Sequence, residues 1–266
     1  MKLLVPTDFS PYSDRALELA DLIARKTKGE ITLLNVIYDL RESPLFPTIV
    51  SGIVAESLEA RRKENLTRLR EIAETNPLIK MTIAEFGEAH RVILERGSSC
   101  DLIVMGTRGI HGLSGALVGS VTLRVLRKAV VPLITVREKV PNDIKKVVAA
   151  TDTSEVSGKA LNAAIALARA VGAEMIPVYI DTIARYVSEG KVYWQRVVER
   201  VSAISECKDC KIYQSDSPVR GIIEFSEREG ADLITVGARG LSGIREVVGS
   251  TAIGVMSSAS APVMVV

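Results

Sequence analysis

Residues 105–120 of the chain read MGTRGIHGLSGALVGS, and residues 236–250 read VGARGLSGIREVVGS. Each segment follows a short apolar run and precedes a helical pattern. Both are rich in glycine, whose backbone reaches positive φ and lets a ligand approach the main chain closely. In the first segment two residues separate Gly106 from Gly109, nine separate Gly109 from Gly119, and Ser120 follows. A glycine loop that occurs twice indicates an internal duplication.

The remainder of the chain repeats in the same order. The segment KLLVPTDFSPYSDRALELADLIARKTKGEITLLNVIYD at 2–39 aligns with KVVAATDTSEVSGKALNAAIALARAVGAEMIPVYID at 146–181. A charged stretch with Pro, Asn and Asp, REKVPNDIKK at 137–146, separates the two copies and is typical of a hinge. The sequence therefore predicts two domains, 1–141 and 142–266.

Strand-like and helical patterns alternate within each copy. In the first copy, β-type runs are predicted at 3–5, 31–37, 81–84, 102–105 and 133–136, with helical patterns between them, among them 57–73, 90–96 and 120–128. This alternation predicts an α/β fold, a doubly wound parallel sheet of five strands with helices on both faces. Because such sheets bind ligands at the carboxyl ends of their strands, the segments after the first, second and fourth strands are expected to meet there.

Composition and charge exclude several classes of protein. The 266 residues are 47% hydrophobic, which suits a large buried core. Lys and Arg total 34 against 32 Asp and Glu, and no run of five like charges occurs, so no nucleic-acid partner is expected. No apolar run approaches the roughly 18 residues of a membrane span. The apolar run at the N-terminus is too short for a signal peptide, so we expect a cytoplasmic protein without a membrane partner.

The glycine loop leads into a predicted helix, and a helix N-terminus is suited to anions because its first amides have no partner inside the helix. A phosphate held there by amides and hydroxyls of residues 119–122 is one interpretation. The other is a flexible surface loop with Ser120 as an ordinary N-cap. The two commonest nucleotide motifs do not occur, because PTDFSP after the first strand contains no glycine and the chain has no G-x-x-x-x-G-K-[ST] string.

Three features in order carry a resemblance to a known family. PTDFS at 6–10, LLNV at 33–36 and the G-x2-G-x9-G-S loop are similar to those of the universal stress protein family, in tandem form. The resemblance implies two Rossmann-like five-stranded domains with strand order 3-2-1-4-5 that bind an adenine nucleotide, ATP or AMP. It also implies pairing through the last strands, giving an internal pseudo-dimer of the two domains and a homodimer of the chain.

The resemblance implies site residues in the first copy. The segment near adenine, ribose and metal comprises Pro6, Thr7, Asp8 and Val36. The loop residues near ribose and phosphate are Met105, Gly106 and Gly109, and the phosphate cradle is Gly119, Ser120, Val121 and Thr122. Asp8 would hold Mg²⁺ or Mn²⁺ beside a triphosphate or cap the next helix, and both interpretations stay open. Arg108 would either cover a phosphate or be solvated.

The second copy departs from the pattern in two ways. Only eight residues separate Gly240 from Gly249, and Ala150 stands where the first copy has Pro6. One missing residue shifts the loop amides by a few ångströms. Binding in this copy therefore stays open, through Thr151, Asp152, Val178, Gly237, Gly240, Gly249, Ser250 and Thr251.

Three cysteines do not make a disulfide framework in a chain of this size. Cys207 and Cys210 form a CxxC pair, but the chain has only two histidines and no second CxxC to complete a zinc site. A reduced pair at a polar turn is therefore favoured over a metal or redox centre.

Three functions are compatible with these features. The first is a regulatory or stress-response protein in which ATP or AMP occupancy biases a conformational or assembly state. The second is a slow ATPase, although no residue pair offers an evident base or nucleophile. The third is a nucleotide-free interaction scaffold.

Overall fold

The structure, a computed structural model, describes residues 1–39, 51–108, 118–182, 190–239 and 248–266. Two residues predicted to bind nucleotide, Gly109 and Gly240, lie outside the described residues.

Each copy alternates five strands with four helices among its described residues. The first copy consists of β1 (Lys2–Pro6), α1 (Pro11–Thr27), β2 (Glu30–Ile37), α2 (Ser51–Thr75), β3 (Ile79–Phe86), α3 (Ala89–Gly97), β4 (Leu102–Gly106), α4 (Ser120–Lys128) and β5 (Leu133–Val136). The second consists of β6 (Lys146–Thr151), α5 (Glu155–Val171), β7 (Glu174–Asp181), α6 (Gly190–Ile204), β8 (Lys211–Gln214), α7 (Pro218–Glu229), β9 (Leu233–Val236), α8 (Ser250–Ser258) and β10 (Val263–Val265).

The described strands form one sheet in the order β3-β2-β1-β4-β5-β10-β9-β6-β7-β8. Each half has the order 3-2-1-4-5 with parallel neighbours, as the resemblance implied, so the predicted fold is confirmed. The halves meet where β5 pairs with β10 in antiparallel orientation, with Met264 opposite Ile134. The predicted internal pairing of the copies through their last strands is therefore present within the chain.

The core lies on both faces of this sheet. In β1, Leu3 and Val5 pack on one face with α1, whereas Leu4 packs on the other with residues of α3 and α4. All three are fully buried, because a parallel strand covered by helices on both sides exposes neither face. Helix α1 begins where the Ser10 hydroxyl accepts a hydrogen bond from the Ser13 amide, which is an ordinary N-cap.

The segment between the copies is tied to both of them. Because β10 runs antiparallel to β5, the end of β5 lies beside the start of β10, and the chain must cross the amino edge of the second copy to reach β6. Arg137, directly after β5, donates from Nη1 to the Ser257 carbonyl at the end of α8, at 2.5 Å. The Arg137 carbonyl accepts from Arg15 of α1 at 3.1 Å. Lys26 pairs with Asp143 at 2.6 Å. The segment predicted as a hinge therefore has anchors on α1 and α8.

We predict that Arg137→Ala lowers the free energy of unfolding by about 1–3 kcal/mol, because a charged donor to a helix carbonyl is lost. Urea denaturation followed by circular dichroism measures the change. The matched control is Arg127→Ala, which removes an exposed arginine from the last turn of α4. Equal stability of the two variants would contradict the anchoring role of Arg137.

Candidate functional site

A cavity of about 250 Å³ opens at the carboxyl edge of the first copy, where β1, β2 and β4 end and α4 begins. Every described residue of the first predicted set lines it: Pro6, Thr7, Asp8, Val36, Met105, Gly106, Arg108, Gly119, Ser120, Val121 and Thr122. The structure thus brings together segments that are far apart in sequence.

Sequence reasoning missed four lining residues, Ser13, Leu34, Ala89 and Ile93. Ala89 and Ile93 lie four residues apart on α3, so they share one helix face. With Leu34 and Val36 they form an apolar wall. The four-residue spacing was visible in the sequence, but it indicated only a core-facing helix and not a ligand wall.

The turn after β1 has a strained conformation that hydrogen bonds maintain. Phe9 has φ of 61°, in the left-handed region, which costs a non-glycine residue about 1–2 kcal/mol. The Thr7 hydroxyl accepts from the Phe9 amide at 3.0 Å and donates to the Ser13 hydroxyl at 3.0 Å. Asp8 Oδ1 accepts from the Ser10 amide at 3.1 Å. These contacts fix the Asp8 carboxylate at the cavity wall, and the N-cap of α1 is Ser10 rather than Asp8.

The N-terminus of α4 faces the cavity without a side-chain cap. Its N-cap is Gly119, not Ser120, and no side chain of the described residues accepts a hydrogen bond there. The Gly119 amide donates to the Thr107 carbonyl at 2.7 Å, and the Thr122 hydroxyl donates to the Gly106 carbonyl at 3.1 Å. Of the donors in the predicted phosphate cradle, the Gly119 amide and the Thr122 hydroxyl are thus used within the protein, and the amides of residues 120–122 have no hydrogen-bond acceptor among the described residues.

Close contacts explain why two positions of the loop are occupied by glycine. A Cβ on Gly106 would lie 2.9 Å from the Tyr12 carbonyl oxygen of α1, closer than real contacts allow. A Cβ on Gly119 would lie 3.2 Å from the Thr107 carbonyl oxygen, on the same wall as the open amides. The glycines thus let β4 and α1 approach each other and keep the start of α4 clear.

Two polar groups at the start of the glycine loop are buried without a hydrogen-bond partner in the described structure. They are the Thr107 hydroxyl and the Nε of Arg108. Leaving such a group unsatisfied costs about 1–3 kcal/mol, and more when the group is charged. Arg108 also lines the cavity, close to the start of α4.

The second copy repeats the turn but not the whole site. The Thr151 and Ser157 hydroxyls are bonded at 2.8 Å, and Asp152 accepts from the Ser154 amide at 3.0 Å, as their counterparts do in the first copy. The Gly249 amide donates to the Ala238 carbonyl, also at 2.8 Å.

Three differences separate the copies at this place. Ala238 and Ala252 stand where the first copy has Thr107 and Thr122, so two hydroxyls are missing. Val178 of the second set is fully buried, although its counterpart lines the first cavity. The other described members of the second set lie at the ends of β6 and β9 and at the start of α8: Thr151, Asp152, Gly237, Gly249, Ser250 and Thr251.

This fold and cavity define a tandem Rossmann-like α/β protein with a polar site at the switch point of its first half. The family model for the universal stress protein family matches residues 1–137 and 143–266, and the chain belongs to that family.

Three similar proteins illustrate the extent of the match. A universal stress protein of Mycolicibacterium smegmatis is 25% identical over 99% of this chain and 96% of its own. One from Methanocaldococcus jannaschii is 33% identical over 47% of this chain and 83% of its own. The crystal structure of a universal stress protein from Archaeoglobus fulgidus superimposes with a TM-score of 0.76 at 23% identity, covering 99% of this chain and 97% of that one. The last comparison extends the likeness of fold to both copies.

Neither a membrane span nor a metal cluster is found in the described ranges. No helix there combines the length and apolar character needed to cross a bilayer. No group of three His, Cys, Asp or Glu side chains comes together there to hold an ion. The cytoplasmic location and the homodimer stay predictions, as do the domain limits 1–141 and 142–266.

The CxxC pair is reduced and lies in the core. Cys207 and Cys210 are free thiols that pack in the same apolar cluster, each less than a tenth exposed. Burial, with the neighbouring Cys207 and Asp209, raises the pKa of Cys210 to about 12. Burial likewise raises the pKa of Cys207. Because the thiolate is the reactive form, these positions suit packing rather than redox chemistry.

We predict that Cys210 is almost inert to a thiol reagent in the folded protein at pH 8. With a pKa of about 12 its thiolate is about one part in ten thousand of the thiol, and its burial blocks the reagent as well. Labelling with 5,5′-dithiobis(2-nitrobenzoate), followed by peptide mass spectrometry, measures each site. In denaturant Cys207 and Cys210 should react rapidly, whereas rapid reaction in the folded state would contradict the packing role.

Proposed function

We propose that this protein is a regulatory adenine-nucleotide-binding protein, with ATP or AMP held in the cavity of the first copy. The observation that carries the proposal is the uncapped N-terminus of α4, whose amides at 120–122 face a cavity with an apolar wall opposite. Open amides and the helix dipole favour a phosphate, and an apolar wall suits a purine. The cavity volume of about 250 Å³ is close to the lower end of the range of about 300–1,000 Å³ for ligand sites.

Each part of the nucleotide then has a partner of suitable chemistry. The apolar residues Val36, Ala89 and Ile93 would contact the purine, and the Arg108 guanidinium would pair with a phosphate. Asp8 would bind either the ribose or a Mg²⁺ or Mn²⁺ ion that accompanies the triphosphate. A carboxylate and phosphate oxygens are the ligands that such ions prefer, so the residues present fit a nucleotide-borne cation.

Regulation requires that the nucleotide bind two states of the protein with different affinity. The site is suited to this because the proposed phosphate position lies between the end of β4 and the start of α4, two elements whose relative position a bound phosphate would affect. A slow ATPase and a nucleotide-free scaffold remain the alternatives. Analysis of the small molecule released on denaturation identifies the nucleotide. Phosphate release that is lost in Asp8→Ala would favour the ATPase, and absence of binding at millimolar ATP would favour the scaffold.

The two equivalent glycines provide a matched pair of variants. We predict that Gly119→Val weakens ATP binding at least about tenfold, which corresponds to about 1.4 kcal/mol, because the side chain lies beside the open amides. The φ of −67° at Gly119 suits valine, so the fold should survive. The control is Gly249→Val at the second copy, with φ of −61°.

Isothermal titration calorimetry measures affinity and stoichiometry for both variants. We expect a single nucleotide per chain and no change in Gly249→Val. Unchanged ATP affinity in Gly119→Val would contradict the phosphate cradle. A stoichiometry of two that Gly249→Val reduces to one would show that the second copy binds as well.

A further inference from the structure

A second cavity, of about 230 Å³, lies at the amino edge of the second copy. Its walls are the segment between the copies, the last turns of α7 and the turn from α8 to β10. We call it the linker cavity and define it by Lys139, Pro141, Ser226, Glu227, Asp232 and Pro262. It is separate from the nucleotide cavity, with which it shares no lining residue.

The linker cavity exists because of the way the two copies are joined. The antiparallel pairing of β5 with β10 sends the chain across the start of β10 and β9, so Lys139 and Pro141 cover this edge. The equivalent turn of the first copy joins α4 to β5, and its Val130 side chain is 80% exposed. The cavity is thus a feature of the linked pair rather than of the repeated fold.

A buried hydroxyl in the cavity wall lacks a partner. Ser226 is 2% exposed, and its Oγ has no hydrogen-bond partner among the described residues. A buried hydroxyl without a partner costs about 1–3 kcal/mol. Unused polar groups of this kind are typical of places where a ligand or water completes the hydrogen bonding.

The charges around the cavity favour a cationic ligand. Of its three ionisable lining residues two are acidic, Glu227 and Asp232, and one is basic, Lys139. Asp232 already accepts the amides of residues 145 and 146, whereas Glu227 makes no side-chain hydrogen bond or ion pair with other described residues. Helices α7 and α8 also end here, and helix C-termini attract cations.

The protein itself places cations at both helix ends. Arg137 donates to the Ser257 carbonyl of α8 at 2.5 Å, and the Lys146 ammonium donates to the Glu229 carbonyl of α7 at 3.0 Å. Neither cation lines the linker cavity. Both cations bond backbone carbonyls rather than the cavity carboxylates. Among the described residues Asp232 accepts two backbone amides and Glu227 has no ion pair, so Glu227 is the freer acceptor at the cavity.

We propose that the linker cavity binds a small organic ammonium compound of about ten non-hydrogen atoms, a size that follows from the cavity volume. The ammonium group pairs with Glu227 and donates to the Ser226 hydroxyl. The apolar part packs against Ile223, Ile234 and Pro141, which also line the cavity. This ligand is distinct in chemistry from the anionic nucleotide proposed for the first copy.

Three probes of matched shape test the proposal: benzylamine, benzyl alcohol and benzoate. They are titrated into the full chain at neutral pH, and binding is followed by amide chemical shifts in NMR spectra. We expect saturable binding of benzylamine with a dissociation constant of about 1 mM or below, equivalent to about −4 kcal/mol. Benzyl alcohol should bind more weakly and benzoate not at all, with shifts at residues 226–232 and 259–262. Absence of shifts there, or benzoate binding as tightly as benzylamine, would overturn the proposal.

Variants that neutralise one charge at the cavity give a second test, because the proposal predicts whether each one raises or lowers the affinity for benzylamine. Glu227→Gln should weaken benzylamine binding about two- to fivefold, and Lys139→Gln should strengthen it by a similar factor, as expected for partly exposed charges. The control, Glu224→Gln, changes a carboxylate on the same helix that does not line the cavity. Tighter binding in Glu227→Gln, weaker binding in Lys139→Gln, or an effect of Glu224→Gln equal to that of Glu227→Gln would refute the assignment. Ala261→Leu fills the cavity and should abolish binding of benzylamine, and unchanged binding would place the probe elsewhere.

Discussion

The antiparallel pairing of β5 with β10 is the contact on which the arrangement of the whole molecule depends. Three residue pairs, from Thr135–Val263 to Leu133–Val265, join two parallel sheets into one. The junction covers the edge that each last strand would otherwise leave open, and such edges invite association with other chains. It also reverses the second copy relative to the first, so the carboxyl edge of one half lies on the same side as the amino edge of the other. The linker cavity follows from that reversal, whereas the first cavity is formed within one copy.

Close packing of the backbone at the end of β4 determines which backbone amides at the start of α4 are left without an acceptor in the first cavity. Gly106 lies against α1. The Gly119 amide donates to the Thr107 carbonyl and the Thr122 hydroxyl donates to the Gly106 carbonyl. These bonds fix the start of α4 without capping it, so the amides of residues 120–122 have no acceptor among the described residues. If the proposed nucleotide binds there, its phosphate meets donors that are already positioned and breaks no protein hydrogen bond.

Much of the fold could be predicted from the sequence because local and global signals agree. The predicted bounds of α4 and β5 match the structure, and the described residues chosen from the glycine spacing and PTDFS line one cavity. Other features depend on contacts between distant residues. The hydrogen bond that uses the Gly119 amide and the wall formed by Ala89 and Ile93 arise only when β4, α3 and α4 assemble. The helix predicted at 57–73 is too short, because α2 runs from Ser51 to Thr75 and its first residues follow the proline-containing stretch SPLFP, which was predicted as a loop.

Comparison of the two copies separates features that belong to the repeated fold from features found in the first copy. The strained turn after the first strand occurs in both, with φ of 61° at Phe9 and 66° at Thr153 and the same threonine hydroxyl bonds. The turn is also present in the second copy, where Val178 is fully buried instead of lining a cavity. The passage from strand to helix is therefore enough to explain the turn. Thr107 and Thr122, by contrast, are replaced by alanines in the second copy. The Thr107 and Thr122 hydroxyls are thus specific to the first copy, whereas the strained turn is common to both.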